Sequence, residues 1–276
     1  MSSPVWLITG TSAGFGREIA RAALDRGDRV VATARRPDTL ADLAAAAPDR
    51  VLALPLDVTR QEQIDDAVRA ALDHFGRIDV LVNNAGHGSV GAIEEVEPGH
   101  LRDLMETMFF GPIALTKAVL PHMRERGSGA IVQMSSMGGQ LAPPGFGAYC
   151  AAKWALEAAS QALAAEVAPL GLRVLIVEPG SFRTEFGGAR LHESPVIAAY
   201  AETAGRNRDY ITGVDGTQPG DPRKAAAAIL DALDAPEPPL RLALGADAVE
   251  SIGAGLDARR AELDAWAHVA RAAVFD

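Results

Sequence analysis

Tyr149 and Lys153 stand four residues apart in the stretch Gly147-Ala148-Tyr149-Cys150-Ala151-Ala152-Lys153-Trp154. Ala155, Leu156, Ala159 and Leu163 follow at helical spacing, so the phenol and the ammonium are expected on one helix face. A phenol with its ordinary pKa near ~10 is a poor proton shuttle at neutral pH. An ammonium fixed beside it favours the phenolate. Bringing the pKa to 7 takes roughly 3 units, or about 4 kcal/mol of differential stabilisation. Alone, the spacing is commonplace, and a surface lysine beside a packing tyrosine explains it. Ser136 adds weight: it lies thirteen residues before Tyr149, and the glycine- and proline-rich loop over 138–147 can fold its hydroxyl back toward the phenol.

A second group of residues could hold phosphate. Val5-Trp6-Leu7-Ile8-Thr9 reads as a buried strand, runs into Gly10-Thr11-Ser12-Ala13-Gly14-Phe15-Gly16, and is followed by an amphipathic helix over 17–24. That order aims backbone N–H groups and the helix dipole at a pyrophosphate. Gly10 permits the tight turn, Gly14 a close approach of backbone to ligand, and Gly16 close helix–strand packing; a merely flexible loop is the alternative. The next strand, 29–34, ends in Ala34 where a dinucleotide fold often has an acid, and Arg35 and Arg36 follow. Two arginines there suit the 2′-phosphate of NADP(H), although a solvated charge pair is also possible.

The elements that must position these groups alternate. Further strands are expected over 51–58, 80–82, 130–136, 173–177 and 240–244. Helices are expected from about 60, over 98–126 with a break at Gly111-Pro112, over 222–233 and over 247–273. Alternation implies an α/β fold: a Rossmann-type, doubly wound parallel sheet of about seven strands, helices on both faces and right-handed crossovers. One domain is expected over 1–276, with a substrate lid at about 185–220 and a helical tail. Asp57, at a strand exit, could receive an adenine amino group or cap the following helix. Asn83, Asn84, Ala85 and Gly86 close a strand at the carboxyl edge, where open α/β sheets bind ligands; turn chemistry accounts for them equally well. His87 reads as a loop residue.

Composition narrows the partners. The chain has 276 residues, 48% apolar and 22% charged, with a formal net charge of −10. That charge argues against nucleic acid or an anionic membrane as the main partner. The single cysteine, Cys150, excludes an internal disulfide and is consistent with a cytoplasmic protein. The opening apolar run is too short for a signal peptide, and no run is long enough to span a bilayer.

Taken together, Thr9-Gly10-x-x-x-Gly14-x-Gly16, Asn83-Asn84-Ala85-Gly86, Ser136, Tyr149-x-x-x-Lys153 and Pro179-Gly180 closely resemble the short-chain dehydrogenase/reductase family, in its compact type. The likeness covers roughly residues 4–244 and is nearest to bacterial NADP-dependent oxidoreductases related to hydroxysteroid dehydrogenases. It implies Tyr149 as general acid and base, Lys153 tuning it and holding the nicotinamide ribose, and Ser136 bonding the substrate oxygen. It further implies Gly10, Ser12, Phe15 and Gly16 at the pyrophosphate, Arg35 and Arg36 at the 2′-phosphate, and Asp57 and Val58 at the adenine. Asn83, with Ala85 and Gly86, falls beside the ribose, and Phe182 and Thr184, after Pro179 and Gly180, near the carboxamide. NADP(H) is the expected cofactor, with NAD(H) as the alternative; the substrate is a small carbonyl or alcohol, and a homodimer or homotetramer is implied.

One position departs from the family: Met108 stands where the pattern has an asparagine that supports a proton-relay water. That departure is the one feature favouring a nucleotide-binding sensor or scaffold with little turnover. A dehydratase or isomerase on the same scaffold is a further alternative. Met137, Leu141, Phe146, Phe186, Tyr200 and Tyr210 suggest an apolar substrate, while Arg183, Arg190 and Arg206 could instead meet an anionic group.

Overall fold

The computed structural model describes residues 3–275. Its strands are β1 (Val5–Ile8), β2 (Arg29–Ala34), β3 (Val51–Pro55), β4 (Val80–Asn83), β5 (Gly88–Val90), β6 (Gly129–Met134), β7 (Leu172–Pro179), β8 (Leu191–Glu193) and β9 (Arg241–Leu244). The α-helices are α1 (Gly14–Asp25), α2 (Ala41–Ala46), α3 (Gln61–Phe75), α4 (Pro98–Met105), α5 (Gly111–Arg126), α6 (Gly147–Val167), α7 (Arg206–Gly213), α8 (Pro222–Asp234) and α9 (Ala246–Ala272).

Seven strands form one sheet in the order β3-β2-β1-β4-β6-β7-β9, with every pairing parallel. Strand order reverses at β1, whose Leu7 pairs with Val31 on one side and Leu81 on the other. That reversal opens a crevice at the carboxyl edge of β1 and β4. Both faces are covered, as apolar strands in a parallel sheet require. Trp6, Ile8, Val80 and Val82 point into one core with Ile19 of α1 and Ile229 and Leu230 of α8. Val5, Leu7 and Leu81, at the alternate positions, meet Ile64 and Val68 of α3 and Leu115, Val119 and Met123 of α5.

Two features differ from the sequence expectation. The region over 98–126 does not break at Gly111-Pro112. It widens into a π-helical turn at Glu106–Phe110 and continues, because Pro112 falls in the first turn of α5, where its missing N–H costs nothing. The segment over 185–220 also carries a strand: β8 pairs in parallel with β5 in a separate two-stranded sheet. Beyond it a 3₁₀ turn and a π turn lead into α7. Glu95, buried to 7% exposure, ties this segment down, accepting from Ile197 N–H at 2.7 Å and from Arg208 Nη2 at 3.1 Å. No helix among the described residues is long and apolar enough to cross a membrane.

Candidate active site

A cavity of about 300 Å³ lies at the carboxyl edge, walled by the glycine loop, the turn after β4, the loop after β6, the start of α6 and the segment over 179–218. Ser136, Tyr149 and Lys153 all reach it. The loop from Ser136 returns to α6 as the sequence suggests: Gly138 N–H donates to Ser136 Oγ at 3.0 Å. That bond occupies an oxygen lone pair and leaves the hydroxyl proton free to donate into the cavity. Lys153 donates from Nζ to the Met134 carbonyl at 2.7 Å and lies 5.8 Å from the centre of the Tyr149 ring.

Electrostatics here run against the simplest sequence expectation. Burial pushes the Tyr149 phenol above its ordinary range, and the neighbouring Ser136 hydroxyl only partly offsets it. Burial also pulls Lys153 down to about 8, with the charge of Glu157 acting in the opposite direction. The protein alone therefore desolvates both groups more than it charges them. Cys150, packed behind them, is pushed up to about 12 by burial and behaves as a small apolar residue.

The glycine loop has the shape of an anion cradle. Gly10 has φ +71°, and a Cβ there would come within 3.1 Å of the Ala85 backbone. A Cβ on Gly16 would collide with the Gly10 carbonyl at 2.6 Å, so the first turn of α1 packs against the loop only because this residue is glycine. Helix α1 begins at Ala13 without a side-chain cap and has no acid in its first turn. Its leading N–H groups are thus free for an anion. Thr9 Oγ1 fixes the facing turn, accepting from Asn84 N–H at 2.9 Å and Ala85 N–H at 3.0 Å. The residues present fit a dinucleotide.

The expected cofactor residues are placed in several ways. Gly10, Phe15, Ala85, Gly86, Pro179, Gly180, Phe182 and Thr184 line the cavity with the catalytic group. Arg35 and Arg36 are exposed at the end of β2, and neither guanidinium forms an ion pair with another described residue. Ser12 sits in the loop with its hydroxyl held by Arg190 Nη2 at 2.9 Å. Asp57 does not cap α3, whose N-cap is Arg60; it accepts from Thr59 N–H at 3.0 Å and Oγ1 at 2.7 Å in the turn before that helix, and the Val58 side chain belongs to the core. Asn83 is placed differently from expectation. Its amide donates to Gln133 Oε1 at 3.0 Å and Thr116 Oγ1 at 3.2 Å inside the sheet, and its side chain does not reach the cavity. Strand parity could have shown this, because Asn83 shares the face of Leu81 rather than of Val82.

The rest of the wall is mostly apolar. Met137, Leu141, Phe146, Phe186 and Tyr210 line it, whereas Tyr200 lies outside and bonds to Glu94. Of the three candidate arginines only Arg190 reaches the cavity, and Glu185 pairs with it at 2.8 Å. Arg206 pairs with Glu202, and Arg183 donates to the Gln218 carbonyl at 3.2 Å. His87 contributes to the wall as well, its pKa lowered by burial and by His100, which stacks on His192 at 3.6 Å. Met108, at 1% exposure within the π turn, lines the wall as well.

Comparison with known proteins agrees with this architecture. Residues 4–194 match the short chain dehydrogenase family. The chain is 40% identical to oxidoreductase BOA17 of Botryotinia fuckeliana over 95% of its length and 96% of that protein. A short-chain dehydrogenase from Streptomyces avermitilis superposes with a TM-score of 0.95 at 55% identity, over 99% of this chain and 100% of that one. A short chain dehydrogenase from Burkholderia cenocepacia, determined in complex with NADP, superposes at 0.74 with 29% identity, over 96% and 97%. The chain belongs to the short-chain dehydrogenase/reductase family and is an oxidoreductase of that class.

Proposed function

We propose that the chain is an NADP(H)-dependent oxidoreductase that interconverts a carbonyl and a secondary alcohol on a mostly apolar small molecule. The observation that carries this reading is the convergence of Ser136, Tyr149 and Lys153 on one cavity, with the glycine loop on one side and apolar side chains on the other. The bound cofactor supplies or accepts the hydride. Ser136 donates a hydrogen bond to the substrate oxygen as charge grows there. Tyr149 gives its hydroxyl proton to that oxygen, or removes it in the reverse direction. Lys153 steadies the phenolate that remains. The unpaired Arg35 and Arg36 favour a 2′-phosphate, hence NADP(H) over NAD(H). A cytoplasmic homodimer or homotetramer, one domain, and a movable cover over 185–220 complete the proposal.

Its test is nicotinamide oxidation, NADPH against NADH, over a panel of apolar ketones and aldehydes. Tyr149→Phe is expected to lower kcat about 10²–10⁴-fold while NADPH affinity stays at the parent value. Substantial residual turnover in that variant sinks the assignment.

A further inference from the structure

The cavity wall is short of cations for a ligand as charged as a dinucleotide. Such a ligand brings a pyrophosphate into a chain whose formal net charge is −10. Among the described residues, only Lys153 and Arg190 line the cavity with an ammonium or a guanidinium, and Arg35 and Arg36 do not reach it. Lys153 donates to the Met134 carbonyl and stands beside the Tyr149 ring, at the reacting end. Arg190 is the cation at the other end. The one acid of the wall is Glu185, which would repel a phosphate unless neutralised.

Three contacts close the segment after β7 over the glycine loop. Phe182 tilts against Phe15, with ring centres 5.1 Å apart. A Cβ on Gly14 would lie 3.5 Å from Thr184 Cβ. Arg190 donates from Nη2 to Ser12 Oγ at 2.9 Å. The first two are packing contacts, whereas the third sets a positive charge beside the leading end of α1. That end is itself partly positive and carries no side-chain cap, so a guanidinium gains nothing there without an anion between them. Arg190 is also held from behind. Its N–H donates to the Glu185 carbonyl at 3.1 Å, its carbonyl accepts from Gly88 N–H at 3.2 Å, and its Nε pairs with the Glu185 carboxylate at 2.8 Å. One edge of the guanidinium thus neutralises the acid of the wall, while the other rests on a neutral hydroxyl.

We propose that Arg190 is a cofactor-binding residue: its guanidinium, held by Nε on Glu185, grips the pyrophosphate across the glycine loop and ties the turn at 185–190 to the bound dinucleotide. This rests on the dinucleotide reading of the cleft. A guanidinium suits the task, because its planar fork meets two phosphate oxygens at once through charge-assisted bonds. Ser12 is its partner in the empty cleft, and a neutral oxygen holds a guanidinium less tightly than an anion does. The pyrophosphate is common to both nicotinamide dinucleotides. Arg190 therefore sets how tightly either one binds, and the choice between them is left to Arg35 and Arg36.

Calorimetric titration of the full chain with NADP+ and with NAD+ reads this without turnover. Arg190→Met and Arg190→Gln should each weaken both dinucleotides about 10–100-fold, and by the same factor for the two. Arg190→Gln keeps a donor for Ser12 but no charge, so a role confined to that bond would leave its affinity parental. Hydrogen exchange gives the second readout: saturating NADP+ should slow the amides of 185–190 in the parent and leave them unchanged in Arg190→Met. Parental affinity in Arg190→Gln overturns the proposal. So does a loss confined to NADP+, which would put Arg190 at the 2′-phosphate, and so does equal protection of 185–190 in parent and variant. If Arg190→Met does not fold, Arg190→Gln carries both readouts. A parent that binds neither dinucleotide ends the dinucleotide reading and the role of Arg190 with it; a binding parent beside variants of parental affinity ends the role of Arg190 alone.

Discussion

Two buried polar clusters flank β6, and they are built on opposite principles. Asn83, Thr116 and Gln133 form a neutral cluster at the centre of the sheet, joined by amide and hydroxyl hydrogen bonds of 3.0–3.4 Å. Lys153, Glu157, Glu178 and Arg241 form an ionic cluster one strand further on. Bonds between neutral groups do not depend on pH and fasten β4, β6 and α5 together, although Asn83 Oδ1 has no partner among the described residues. Charged groups in the same low-dielectric setting are costly to hold, and the cost depends on where their protons are. A fold that needs only stability has no reason to keep the second kind.

That contrast can be broken from the ionic side first. Arg241→Leu strips both buried carboxylates of their cation, and should destabilise the fold by about 3 kcal/mol at pH 8. Removing the cation pushes the Glu157 carboxyl further up in the fold, so the loss should shrink toward pH 5 as that group takes up a proton. Thermal melts across that range check both the size and the slope. A deficit equal at pH 5 and pH 8 would make Arg241 a packing residue only.

Lys153→Met should do the opposite to stability while abolishing turnover. The ammonium is pulled down to about 8 in the fold, against an ordinary lysine value of 10.5. Between those values the unfolded chain binds more protons, so the parent gains stability as pH rises from 8 to 10.5. Below pH 8 the full penalty applies, roughly 3 kcal/mol, less about 1 kcal/mol for the bond to the Met134 carbonyl. The variant should therefore melt several degrees above the parent at pH 7, and below it by pH 10.5.

The smallest effect belongs to the neutral cluster. Gln133→Leu removes the shortest of the three bonds of the Asn83 amide, leaving Thr116 Oγ1 at 3.2 Å and the Pro112 carbonyl at 3.3 Å, and should cost about 1 kcal/mol. The cost should be the same at pH 5 and pH 9, because no member titrates in that window. A pH-dependent loss would erase the distinction between the two clusters.

Much of this was readable from the chain because it is local. The glycine loop, the turn after β4 and the Tyr149–Lys153 pair are short patterns whose geometry is set within a few residues, and they meet because a parallel sheet brings every strand's carboxyl end to one edge. The ionic cluster was not readable in that way. Glu157 sits at helical spacing from Lys153 and could have been noticed, but Arg241 lies 84 residues beyond Glu157 and reaches it through the pairing of β9 with β7. The sheet of β5 and β8 is too short to leave a period-two signature. The Met108 position was visible as a departure; that apolar side chains fill the space around it needed the packing of α6 against the π turn.

The small β5–β8 sheet has a consequence for anyone wishing to give this chain a new substrate. Residues 191–193 are fastened by main-chain pairing, with Gly88 and Val90 on the facing strand. From about 195 to 214 the same wall is held back to the body by side chains such as Glu95 and Arg208. The wall is thus part frame and part panel. Tyr210, Ile211 and Val214 belong to the panel, and can be exchanged in combinatorial libraries without unpicking a ladder. Changes at 88–90 or 191–193 reshape the pocket only by loosening its frame.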